Sequence, residues 1–508
     1  MRKKSYFRGI LAAFTCLAVI ASCVCSSGFA AFAADEAPAA SSDWEMTVPQ
    51  IRITTENGNG NELQKEDGYQ NASISITDTD GTVLEDDCTI KVRGNTTALS
   101  WITKKGFNFK FSKKQDVLGM GKGKKWALVA NVFDPTLLRN YLAFSLGREL
   151  GLEYTSDFKI VEMWMDGSFR GCYMLFEPVQ EGKDRVDIDI ESNDGKKDFL
   201  LEYESKRVED DKTYLTVDGL RFMCSEPEEP NEEQLAYMTE TMQDIVTTIR
   251  KGTQEQIAEK IDVPSFAKFY LLNEFFKTFD FDVTSVFFYY KDGKLYAGPP
   301  WDYDLSSGNG NPEYSSRGEG THNPEGIFCK KKNIFRYLGG YDWFTEEVKS
   351  VYREHYGYFS NIGADGGVLD SALAQYSDVF ARNYNEAGWR VSRWWINIQM
   401  RPLGTYEQNF EFFKSWCVQR NDWLTEYYRL FEREYIRGDA DGNGKVDVND
   451  ATYIQRVLAE QVEVPDREEM LLRADVDGNG LSVDDATALQ RYLAEFGNEY
   501  GIGETVAA

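Results

Sequence analysis

Histidine is almost missing from this chain: 508 residues carry two, His322 and His355, and they are not arranged as a ligand pair. Histidine-based nucleophilic triads and His-rich zinc sites are thereby disfavoured, because both need imidazole as base or ligand. Cysteine is scarce too. Of eight, Cys16, Cys23 and Cys25 lie near the N-terminus, and Cys88, Cys172, Cys224, Cys329 and Cys417 are scattered, odd in number and without a CxxC pair. That pattern argues against a disulfide framework or structural zinc and for buried free thiols. Beyond the N-terminus no run approaches the ~20 apolar residues of a membrane span. Basic residues are outnumbered, 56 against 83 acids, for a net charge of −27. A phosphate backbone would be repelled, so nucleic acid is not an expected partner and cations are.

What is present is a folding chain, 42% hydrophobic and 14% aromatic. Its first 33 residues pair a basic start with an apolar run and end on Ala31-Phe32-Ala33, the pattern of a secretory signal peptide. The rival reading is a lipoprotein box at Ile20 to Cys23, with Cys23 lipidated. A small, acidic linker covers 34–45. The expected protein is therefore secreted and extracellular, with a large domain over 46–433 and a small one over 435–500.

The large domain reads as α+β. "TVPQIRITT", "ASISITD", "CTIKVRGN" and "GFNFKFSK" alternate apolar and polar residues and predict strands. "DPTLLRNYLAFSLGRELG" predicts a helix capped by Asp134, with Pro135 in its first turn and Gly151 at its end. "KIVEMWMDGSFRGCYMLFEPV" predicts a hairpin at Asp166-Gly167, and "DFLLEYES" a further strand. Helices are expected at 232–250, 254–260 and 264–278. "SVFFYYKDGKLYAG" then gives a hairpin at Asp292-Gly293, after which Asp302 and Asp304 follow as strand-end acids. The aromatic spacing from Trp343 to Arg433 is helical and predicts core.

The small domain is an internal repeat. "GDADGNGKVDVNDATYIQRVLAE" and "ADVDGNGLSVDDATALQRYLAE" place Asp439 and Asp475 in register, 36 residues apart, each in an acidic loop that leads into a short helix. In the first loop Asp439, Asp441, Asn443, Asp447 and Asp450 stand at positions 1, 3, 5, 9 and 12, with Gly444 at the sharp turn and the Lys445 carbonyl at position 7. Hard oxygen donors at that spacing wrap Ca2+. The second loop keeps Asp475, Asp477 and Asn479 but is one residue shorter. That shortening is expected to pull Asp485 out of bidentate reach or to unwind the helix start by part of a turn, to leave Val483 in the water-mediated position, and so to weaken calcium binding without abolishing it.

Paired loop-helix calcium repeats of this kind resemble a dockerin domain, small and all-α. The resemblance implies docking onto a cohesin of a cellulosomal scaffoldin, with Ala451, Thr452, Ala486 and Thr487 expected to touch it. A polysaccharide-degrading role follows only from the dockerin, since no acid pair stands out among so many.

Upstream, "KVRGNTT", "KKGFNFKF", "WALVANVFDPTLLRN", "DGSFRGCYMLFEPVQEGKDRVDI", "LLNEFFKTFD" and "DGKLYAGPPWDYDLSSGN" occur in an order that resembles the CotH kinase family. The resemblance implies an atypical protein-kinase-like fold and phosphate transfer from ATP to secreted or coat proteins. It assigns Asp302 to the metal, here Mg2+, that bridges the nucleotide phosphates, with Asp304 as second ligand. It assigns Asp280 to the acceptor hydroxyl, and Arg93, Lys110 and Glu177 to the nucleotide side. Asp282 lies two residues past Asp280 and on a strand would share its face, so it competes for the role. A nonenzymatic binding component is the alternative reading.

Overall fold

The computed structural model describes residues 44–191, 197–389, 396–431, 434–465 and 467–507. The expected signal segment, Cys23 included, and most of the linker lie outside them. Among the described residues no helix is long and apolar enough to cross a membrane.

The alternating segments fold as a closed barrel. Its strands are β1 Gln50–Thr55, β2 Gln70–Thr77, β3 Val83–Arg93, β4 Gly106–Asp116, β5 Lys122–Val129, β6 Phe158–Met165 and β7 Ser168–Phe176, in the order β1-β2-β3-β4-β5-β7-β6. All neighbours are antiparallel except β1 and β6, whose parallel pairing closes the ring. Period-2 alternation decides what is inside. Phe107, Phe109 and Phe111 of β4 are buried in a core with Ile51, Ile74, Ile90, Trp126 and Leu175. Asn108 and Lys110 take the outer face. Both expected hairpins form, at Asp166-Gly167 and Asp292-Gly293.

Helix α1, Arg139–Glu149, begins later than its sequence suggests. Asp134 is not its N-cap. Its buried carboxylate accepts the backbone N–H of Thr136 and of Arg139 and pairs with the Arg139 guanidinium at 2.6 Å, holding the chain in a turn before the helix starts.

The second half of the large domain is a five-stranded antiparallel sheet covered by helices. Its strands are β8 Phe199–Tyr203, β9 Tyr214–Val217, β10 Leu220–Glu226, β11 Val286–Lys291 and β12 Lys294–Ala297, ordered β12-β11-β8-β10-β9. Helices α2 Glu232–Lys251, α3 Gln254–Lys260 and α4 Val263–Phe276 fall where the caps and periodicity put them. The aromatic region forms helices Asp342–Glu354, Tyr356–Asn361, Val368–Asn385 and Tyr406–Tyr427, and Phe344, Phe359, Phe380, Phe413 and Trp416 join the main core. Cys88, Cys172, Cys224, Cys329 and Cys417 are buried free thiols.

In the C-terminal unit, helices Val448–Leu458 and Val483–Leu493 pack through Ala451, Ile454, Ala486 and Leu489. The unit is not purely helical and does not stop at residue 500. Strand β13, Glu434–Ile436, pairs antiparallel with β14, Thr505–Ala507, so the segments flanking the repeat close on each other.

Candidate functional site: an acid cluster tied to α1 and Arg93

Asp302 follows β12 through a short loop and is itself in the left-handed region at φ 61. A network from distant elements fixes this loop. The Asn140 side chain, on α1, accepts the Tyr303 N–H at 2.8 Å and donates to Asn131. Arg139 donates to the carbonyls of Ser306 and Ser307. Asn309 donates to the carbonyls of Asp304 and Phe133. These groups are almost fully buried, so each bond satisfies a polar atom that would otherwise be costly. The sequence blocks "NVFDPTLLRN" and "WDYDLSSGN" are two halves of one hydrogen-bonded support.

Asp280 reaches the same place from a turn after α4. Its neighbour Phe279 donates an N–H to the Leu305 carbonyl at 2.8 Å, tying the two acidic segments together. Asp280, Asp302 and Asp304 thus converge, and among the described residues none forms an ion pair. Burial pushes Asp280 up to about 6, with the Asp302 charge adding to the shift. Asp304 is raised by burial and by Asp302, Asp134 and Asp280. Asp302 is raised by burial and drawn back by Arg93 and Arg207. Its side chain is open to solvent yet recessed among protein atoms, so desolvation acts on it despite the exposed surface. Arg93, at the end of β3, lies against Trp301 with its guanidinium carbon 5.5 Å from the ring centroid. Its charge acts on both Asp302 and Asp304. The three carboxylates feel one another's charge, although their ligand atoms are not gathered within 4.8 Å of one another as those of the repeat loops are, and an acid cluster of this kind suits a hard divalent cation.

A sequence model of the family described as CotH kinase protein matches residues 90–424. The chain belongs to the CotH kinase protein family. A comparison with curated proteins gives no match. The CotH match opens inside β3, whereas the barrel needs β1 and β2 to close, so the folded domain begins ahead of it.

Not every expected residue joins the CotH acid cluster. Lys110 is exposed on the outer face of β4, between Thr89 and Lys125, and among the described residues makes no ion pair. Glu177 accepts the Asp157 N–H at 3.1 Å and lies 3.7 Å from Arg185, and burial pushes it up to about 7. The charges acting on Asp302 are those of Arg93 and Arg207, not these two. Asp282 parts company with Asp280 because residues 279–283 form turns, not a strand. Its carboxylate accepts the Asn333 N–H at 2.8 Å. Three cations escaped sequence reading: Arg207, Lys206 and Arg317, all of which act on Asp280. Nothing in "ESKRVED" or "SSRGEG" separates them from ordinary surface charge.

The repeat loops form two further acid groups. Ligand atoms of Asp439, Asp441 and Asp450 lie within 4.8 Å of one another, and so do those of Asp475, Asp477 and Asp485. Asp439 accepts the N–H groups of Asn443 and Gly444, and Asp475 those of Gly478 and Gly480. Gly444 and Gly480, at φ 87 and 105, supply the left-handed turn. Asn443 bonds the Lys445 N–H and Asn479 the Asp477 carboxylate. The donor set is all oxygen and fits calcium.

Two expectations are corrected here. The short loop does not pull Asp485 away. Asp447 caps the first helix three residues before Asp450, and Ser482 caps the second three before Asp485, so the missing residue comes out of the segment ahead of the cap. Ser482, not Val483, is the counterpart of Asp447. Ala451 and Ala486 are buried at 0% and 1% and cannot meet a partner, whereas Thr452 and Thr487 are exposed beside Val448 and Val483.

Proposed function

We propose that this chain is an atypical protein kinase that moves the γ-phosphoryl group of ATP to a hydroxyl of a secreted protein. The observation that carries the reading is the grouping of Asp280, Asp302 and Asp304, none in an ion pair among the described residues, with the latter two in the field of Arg93 and the acidic segments tied together by the Phe279–Leu305 bond. Asp302 and Asp304 are the residues to hold Mg2+, which when bound neutralises charge on the nucleotide phosphates. Arg93 binds a phosphate oxygen from the barrel side. Asp280 accepts the proton of the acceptor hydroxyl while its oxygen bonds to the γ-phosphorus, and the bond from that phosphorus to the β–γ bridging oxygen breaks, releasing ADP. A carboxylate held near about 6 is ionised at neutral pH yet basic enough to take that proton. Incubation with magnesium and γ-labelled ATP tests the reading: label transfer that disappears in Asp302→Asn supports it. Nucleotide binding without transfer would favour the nonenzymatic alternative.

The duplicated acidic loops support a second, separable role: a calcium-dependent dockerin that attaches the kinase-like domain to a scaffoldin cohesin outside the cell. The exposed pairs Thr452 and Thr487, Val448 and Val483 are its contact candidates. Titration of the chain against cohesins with calcium and with EDTA tests this; binding that survives EDTA would defeat it.

A further inference from the structure

Between β8 and β9 the chain makes a short exposed loop, Ser205 to Lys212, that carries Lys206 and Arg207. Its backbone is pinned more firmly than its exposure suggests. The buried Glu204 carboxylate accepts the N–H of Lys206 at 2.8 Å and of Arg207 at 2.7 Å. Arg221 donates to the carbonyls of Glu204 and Arg207, at 2.8 and 2.9 Å. Ser205 donates its N–H to Val283 at 2.7 Å and its hydroxyl to Asp282 at 3.0 Å. The loop is therefore fastened to the turn that carries Asp280.

The Arg207 guanidinium itself forms neither a hydrogen bond nor an ion pair among the described residues, while its loop is bonded to the turn two residues from Asp280. Its field reaches both Asp302 and Asp280. The other cations divide between the two sides: Arg93 acts on Asp302 and Asp304, while Lys206 and Arg317 act on Asp280. A phosphoryl group passing from the donor side at Asp302 to the acceptor side at Asp280 would move between two acids that both feel the charge of Arg207, from a loop bonded to the Asp280 turn.

On the phosphoryl-transfer reading above, we infer that Arg207 is a catalytic residue that binds the transferring phosphoryl group, with Glu204 and Arg221 as its positioning residues. The geometry suits that task. A guanidinium fork matches phosphate oxygens, and a cation pinned through its backbone needs little reorganisation as charge develops.

The experiment measures autophosphorylation and ATP hydrolysis by the full chain with magnesium and γ-labelled ATP, for wild type, Arg207→Ala, Arg207→Lys and Lys251→Ala. Arg207→Ala is expected to lower kcat about 10²- to 10³-fold with KM for ATP changed less than about threefold. Arg207→Lys should recover part of the rate, Lys251→Ala, an exposed cation at the end of α2, should stay within about fivefold of wild type, and the thermal midpoints should coincide because the Arg207 side chain is exposed. Wild-type rates in Arg207→Ala, or a loss confined to KM, would overturn the inference and leave the kinase reading standing. No transfer or hydrolysis by the wild type would overturn the kinase reading, and this inference with it.

Discussion

The two kinds of acid cluster in this molecule are assembled in opposite ways. Asp439, Asp441 and Asp450 lie within twelve consecutive residues and are oriented by N–H groups of their own loop, such as those of Asn443 and Gly444. Asp280, Asp302 and Asp304 are oriented from far away, by Asn140 on α1 and by Asn309 reaching back to Phe133. Local bonds are made by the same residues that supply the ligands, so such a loop is specified wherever its sequence occurs. A cleft held by distant partners is only as rigid as the packing behind it. Binding a cation in the first case mostly orders a short loop; in the second the whole domain has already met the ordering cost.

The sharpest contrast comes from deleting one acid in each. Asp302→Asn should lower phosphoryl transfer by at least about 10³-fold, since metal neutralisation of the transferring group is lost. Its thermal midpoint should hold, because Asn tolerates the left-handed backbone at this position. A normal rate would remove Asp302 from the metal site. Arg139→Met attacks the distant support instead. It leaves Asp134 buried without its partner at 2.6 Å, and breaking such a pair costs about 3–5 kcal/mol. Chemical denaturation should register that loss in the large domain while calcium binding by the repeat is unchanged. If calcium affinity fell as well, the two clusters would not be independent.

Within the repeat, the first loop carries Asp447 where the second has Ser482, so calorimetry of the full chain should resolve a tighter and a weaker calcium site. Ligand charge sets affinity here, and a gap of about tenfold is expected. Asp439→Ala should abolish the tighter site and Asp475→Ala the weaker. Asp447→Ser should bring the two within about threefold; an unchanged gap would place the asymmetry elsewhere.

The smallest effects are in pH dependence. Transfer should rise with pH as Asp280 gives up its proton, with a midpoint no higher than about 6, since a cation on Asp302 offsets the like-charge part of the shift. Glu177 affects stability instead. Burial raises its folded value from 4.5 to about 7, so the folded state binds the extra proton in that window. Stability from this group is full below pH 4.5 and is lost as pH climbs through about 7. Glu177→Gln should flatten that slope, a difference of no more than about 3 kcal/mol by urea denaturation. Equal slopes would mean that Arg185 pairing outweighs burial.

The sequence by itself determined the elements whose signals are local. Alternation around Phe107, Phe109 and Phe111 marks β4, the Asp166-Gly167 and Asp292-Gly293 turns mark two hairpins, and the spacing from Asp439 to Asp450 marks the loop geometry, because each depends on backbone periodicity or a turn within a few residues. Even there a count misled: the one-residue deletion suggested that Asp485 had moved, but a helix keeps its register from cap to acid, and Ser482 holds it. Tertiary structure alone decided that seven strands close into a barrel, that the Asp282 carboxylate is taken up by the Asn333 N–H, that Glu177 is held by Asp157 and Arg185, and that the Arg207 loop is fastened to the turn carrying Asp280. The physical reason is the same for all four. Each depends on which distant backbone groups satisfy a buried polar atom or complete a sheet, and no local pattern records which partner will be there.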